Sequence, residues 1–212
     1  RAPASGEAVV VADIAVTEAD LKLRPDDTNV FRNRRPELYG PIAEEPRARS
    51  YLAKSDALNV AIYQPSTDGP DTVDEIVSAL EGVAPIVRLI VLPELFDHVN
   101  GVVTNPAAAA AKADTTILAL QTALAGTNQM IVTSFVQSTD SGFCHTGVAI
   151  TAEGVLLRQP QLHACGRHPW VTVLGDTVAT LDLDWGRLAL ITGGDTIYPE
   201  AFRLATLKDV EV

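Results

Sequence analysis

Apolar residues recur along this chain in two periods, and the switches between them mark its elements. "EAVVVADIAV" (7–16) is rich in β-branched residues and predicts a strand. Charged residues without clear period follow as far as "FRNRRPELYG" (31–40), and proline and charge punctuate 41–56, where a boundary is expected. From Leu58 the texture changes. "LNVAIYQP" reads as a strand, and in "DTVDEIVSALEGV" Val73, Ile76, Val77 and Leu80 recur at helical spacing, with Asp71 as N-cap. "PIVRLIVLPE" (85–94) is almost continuously apolar, as expected of a strand covered on both faces. Pro106 suits the first turn of a long helix reaching Leu124. "QMIVTSFVQ", "CHTGVAITA" and, past a turn at Gly154, "VLLRQ" predict three successive strands. "TVATLDLDWG" and "RLALITG" flank a tight turn at Trp185–Gly186, "YPEAFRLATL" predicts a helix, and "DVEV" (209–212) begins a further strand. Such alternation predicts an α/β layered fold.

Composition narrows the class. With 212 residues, 47% hydrophobic and 20% charged, the chain can bury a substantial core and is globular rather than disordered. A formal net charge of −11 speaks against nucleic acid or an anionic membrane as partner, because phosphates would be repelled. Cys144 and Cys165 make no disulfide framework, which fits a reducing cytoplasm. No secretory signal is visible, and the longest apolar candidate, Ala107–Leu124, is interrupted by Lys112 and Asp114, so no membrane span is expected. The first residue is Arg1, as in a processed or partial chain.

Four stretches carry a resemblance. "NVAIYQP" (59–65), "IVLPELF" (90–96), "HTGVAITAEGVLLRQPQLH" (145–163) and "DWGRLALITGGDTIYPEAFRLATLKDVEV" (184–212) resemble, in this order, segments of the nitrilase (carbon–nitrogen hydrolase) superfamily. The resemblance covers about Asn59 to Val212. It implies an α/β fold of the αββα sandwich type, of which this chain holds at least part. It also implies attack on amide or nitrile carbon by a cysteine thiolate, with a glutamate as general base and a lysine at the oxyanion.

Carried over position by position, that set is incomplete. Glu94 stands at the glutamate position, although a strand-end glutamate is ordinarily a helix cap or faces water. Gln161 stands at the lysine position and brings no charge, and about where some relatives have a second glutamate this chain has His168. Asp195, Pro199 and Glu200 hold the family frame, which puts Gly193 at the cysteine position. Glycine tolerates the strained backbone of such a turn, so the bend is expected without its sulfur. Thr192, Asp195, Cys144 and Cys165 are the candidate substitutes: Thr192 has the wrong strand parity, Asp195 belongs to the turn itself, and the cysteines read as buried filler. Cys144, His145, His163, Cys165 and His168 are zinc-binding residue types, but their spacing matches no compact motif, so no metal and no cofactor is expected. His98, His145, His163 and His168 then read as ordinary loop and hairpin residues.

Residues 1–50 are expected to form a strand and an arm resembling the C-terminal tail of one nitrilase-like unit, with 57–212 the front and centre of a second. In relatives such an arm packs across a dimer partner. The leading functional reading is therefore a non-catalytic module with a structural, oligomerising role in homo- or hetero-oligomers. An alternative is part of an active carbon–nitrogen hydrolase whose catalytic unit lies in sequence outside these residues. A third is a module binding a small amide or acid in the space left at Gly193, with Glu94 and Gln161 at its rim.

Overall fold

A computed structural model describes residues 6, 9–44, 48, 57–64, 73–98 and 101–212; Asp71, the expected N-cap, lies outside them. Five strands form one sheet in chain order: β1 (Val60–Ile62), β2 (Leu89–Glu94), β3 (Met130–Thr139), β4 (Gly142–Thr151) and β5 (Gly154–Pro160). The first three are parallel, joined through α1 (Val73–Glu81) and α2 (Pro106–Ala123), and the last two turn back antiparallel as hairpins. Asn105 caps α2 by accepting from the Ala108 N–H, and Pro106 occupies its first turn.

The unbroken apolar run of β2 follows from what covers it. Ile90 and Leu92 pack with Ile131, Phe135, Val148 and Ile150 beneath Ile76, Leu80, Ile117 and Leu120 of the two helices. Leu89 and Val91 point the other way, joining Met130, Val132, Ala149 and Leu157 beneath Trp185 and Leu188. Each side chain so buried contributes about 1.5–3 kcal/mol. The second layer is a two-stranded ribbon, β6 (Leu181–Leu183) with β7 (Gly186–Leu188), and α3 (Pro199–Thr206) packs through Leu204 and Ala205 against Leu162, Val178 and Ala189. Helices cover one face of the sheet and the ribbon the other, with α3 beside the ribbon, which is the expected αββα arrangement in part, its second sheet having two strands among the described residues.

Several local expectations change. Residues 9–15 form no strand: Val9, Val11 and Ile14 are 93%, 88% and 82% exposed. Their β-branched side chains favour extension, but ladder hydrogen bonds require an adjacent edge, and none of the described strands pairs with them. The expected strand at 187–193 stops at Leu188, beyond which 189–192 approach β4 instead; a side chain at Gly147 would lie 2.6 Å from Thr192 Oγ1. Residues 211–212 are not a regular strand, yet Glu211 and Val212 donate to Arg187 O, and Ala189 donates to Val212 O. Part of the arm packs against the domain. Arg35 donates to the carbonyls of Leu162 and Gly175, Asn33 to that of Ala164, and Thr28 Oγ1 accepts from the Gly166 N–H.

Candidate functional site

At the end of β2 the register against β3 shifts between Val91 and Glu94, so that Glu94 pairs with Ser134. Strict alternation would have set Glu94 on the face of Ile90 and Leu92. The shift, followed by Leu95 at φ +50°, instead turns the carboxylate towards the segment after β7. There Glu94 Oε2 accepts the Gly193 N–H at 2.9 Å. Gly193 begins a 3₁₀ turn, Gly193–Ile197, with φ +59°, a conformation that disfavours any side chain.

No room is left at that glycine. A Cβ on Gly193 would stand 2.9 Å from His145 Nδ1 and 3.2 Å from Gln161 Cδ, and would overlap Gln161 Oε1. Gln161 is fully buried, and its orientation is fixed because its NH₂ donates to His163 O at 2.6 Å. Its Oε1 therefore faces His145 Nδ1 (3.0 Å) and His168 Nδ1 (3.2 Å). A carbonyl oxygen can only accept, so both imidazoles carry their proton on Nδ1. His145 Nε2 then accepts from the Ser134 hydroxyl at 2.8 Å, which itself accepts from the Leu95 N–H. His168 Nε2 is left bare, 3.5 Å from Glu94 Oε1; both atoms are buried and neither has a hydrogen-bond partner.

Burial pushes both histidines down to about 4; for His168 the neighbouring His145 adds to this while Glu94 opposes it. Both are neutral at pH 7. Arg167, exposed at the rim, depresses them further and supplies a positive charge near the site, where Gln161 itself has none.

Behind this cluster stands a rigid support. Asp195, buried, accepts from Leu162 N (2.7 Å), His163 N (2.8 Å) and His163 Nδ1 (2.8 Å), which ties the turn to the loop carrying Gln161. His163 Nε2 accepts the Tyr39 hydroxyl at 2.7 Å, and its ring stacks on Tyr198 at 4.0 Å. The arm thus reaches the domain's interior through Tyr39.

The structure brings Glu94, Gln161 and Gly193 together, as their sequence positions imply. It corrects the reading of three histidines: His145, His163 and His168 are wholly buried around the site, not ordinary loop residues. The vacancy expected at Gly193 is absent, because Gln161 and His145 fill it. Cys165 lies at the edge, its Sγ 3.6 Å from Gln161 Nε2 and 3.1 Å from where a Gly194 Cβ would be. Burial raises its pKa, as it does for Cys144, so both are protonated thiols, and Cys144 faces away from the site by alternation with His145. Strand parity could have revealed His145: it shares a face with Gly147 and Ala149, the side that the ribbon covers. Glu94, His145 and His168 offer ligand atoms all within 4.8 Å of one another, a cluster hidden from spacing rules because β2, β4 and a loop each supply one member.

Comparison with solved structures identifies the architecture. An amidase from Nesterenkonia sp. superposes with TM-score 0.61 at 18% identity, over 73% of this chain and 62% of the amidase. A carbon–nitrogen hydrolase from Helicobacter pylori gives 0.63 at 17%, over 72% and 57%. Saccharomyces cerevisiae Nit3, a member of branch 10 of the nitrilase superfamily, gives 0.57 at 17%, over 71% and 59%. What these proteins share with this chain is the nitrilase-superfamily fold, and the chain spans about three fifths of their length. No protein-family model matches the chain, and no curated protein matches its sequence.

Proposed function

We propose that this chain is a nitrilase-superfamily module without the superfamily's thiol chemistry, acting as a structural, assembly-forming part of its protein. One observation carries the reading: the position of the nucleophile's side chain is occupied by Gln161 Oε1 and His145 Nδ1, with Gly193 offering only its N–H to Glu94. Acyl transfer needs a nucleophile, a proton acceptor and a cation or donor set at the developing oxyanion. Here only Glu94 of the three expected groups is present, and its Oε2 is engaged by backbone. Purified protein should hydrolyse neither amides nor nitriles above the buffer rate. Turnover abolished by Glu94→Ala would sink the proposal.

An assembly role is supported by apolar side chains exposed on the arm and on the edge strand β1, among them Val9, Val11, Val16 and Ile62. Light scattering should give at least twice the mass of one chain. Two unpaired cysteines support a reducing compartment, the cytoplasm, and among the described residues no helix is long and apolar enough to cross a membrane.

A second reading rests on the share of its structural neighbours that the chain spans: it forms part of a carbon–nitrogen hydrolase whose catalytic unit lies outside these residues. The native polypeptide would then carry an intact Cys, Lys and Glu set, which its full-length mass and sequence would decide. The small-amide module loses support, since the space it needs is filled.

A further inference from the structure

We propose that Glu94, His145 and His168 bind one divalent transition-metal ion of the zinc class. The inference goes beyond the function proposed above and holds whether or not the chain acts on amides.

Among the described residues six buried side-chain polar atoms lack a hydrogen-bond partner, and two of them, Glu94 Oε1 and His168 Nε2, face each other at 3.5 Å. Because Gln161 Oε1 holds the proton of His168 on Nδ1, its Nε2 presents a lone pair to a carboxylate oxygen that also has only lone pairs. Two acceptors in mutual contact call for a cation between them. With zinc–ligand bonds of about 2.0–2.1 Å, neighbouring ligand atoms in a tetrahedral site stand about 3.3–3.4 Å apart, close to the separation found.

Ligand atoms of Glu94, His145 and His168 all lie within 4.8 Å of one another, so closing the two edges to His145 takes a shift of about 1.5 Å, with its lone-pair nitrogen Nε2 released from the Ser134 hydroxyl. Gln161 fixes the outer nitrogen of His168 as the ligands of built metal sites are commonly fixed. Two imidazoles with one carboxylate select a zinc-class ion over magnesium or calcium, which prefer oxygen. The ligand atoms are buried while the Glu94 side chain is 28% exposed, so the ion would enter along that side chain and bring a water as fourth ligand. A proton shared by Glu94 and His168 would satisfy the same two atoms without binding any metal, and the test separates the two.

Co²⁺ is the probe, added to the chelator-dialysed chain. The Trp170 ring lies 5.9 Å from that of His145 and 5.6 Å from that of His168, close enough for a paramagnetic ion to quench it. Trp185→Phe leaves Trp170 as the sole reporter, since the sequence has two tryptophans. The expected result is saturable quenching at one Co²⁺ per chain, with visible absorption bands that Zn²⁺ abolishes by displacement. Glu94→Gln and His168→Asn should each weaken binding at least about tenfold. Absence of Trp170 quenching at about 1 mM Co²⁺ overturns the proposal without any ligand variant, as does binding that is unchanged in both variants.

Discussion

Gly193→Ala tests whether the space beside this glycine is filled or open. The backbone there has φ +59°, where an L-residue costs about 1–2 kcal/mol. The added methyl would also overlap Gln161 Oε1 and approach His145 Nδ1 at 2.9 Å. Gln161 cannot swing aside cheaply, since its amide is bonded to His145, His168 and His163 O. Overpacking of this kind costs about 1–3 kcal/mol more, so the total should be roughly 2–5 kcal/mol. Gly126→Ala supplies the control: φ is +74°, yet nothing lies within 4 Å of the added Cβ, which isolates the backbone cost. Urea unfolding followed by circular dichroism should give equal slopes and midpoints separated by that packing difference. In a cycle with Gln161→Ala, the double variant should be less destabilised than the sum, because the overlap disappears. If Gly193→Ala costs no more than Gly126→Ala, the site is open and the case for lost thiol chemistry fails. Gly193→Cys should likewise destabilise without producing amide hydrolysis.

Other expectations follow from the support around the site. Asp195→Ala strands three buried N–H donors at about 1–3 kcal/mol each and should cost more than Asp195→Asn, whose amide oxygen still accepts; thermal melts decide. Tyr198 has its pKa raised to about 12, first by burial, so the neutral phenol is the form the fold favours. That contribution is complete below pH 10 and is lost as pH rises towards 12, and stability of Tyr198→Phe measured across this window should fall less steeply. Gly166→Ala would drive a methyl into the backbone carbonyl of Asp26 and should release residues 22–43, which faster proteolytic cleavage there would report. Loss of the Tyr39 hydroxyl in Tyr39→Phe should cost about 1 kcal/mol by breaking its bond to buried His163.

Local pattern determined most of the elements. β2 reads as doubly covered because it is, and the helical period at Val73–Leu80 and the proline at 106 place α1 and α2. Resemblance in sequence also singled out Glu94, Gln161 and Gly193, which the fold sets side by side. Propensity misled at 9–16, where a strand depends on a partner edge that local sequence does not encode.

Only the tertiary structure decided what those residues make together. A register shift after Val91 turned Glu94 off the face that alternation assigns it, and the fold closed Gln161, His145 and His168 around the glycine. Period-2 and period-3.6 rules report which face a side chain takes, and they carry no information on what another strand or loop brings opposite it. Residues 94, 145 and 168 meet through three separate elements, so their proximity is a property of packing, and with it the bare pair of lone pairs that calls for a cation.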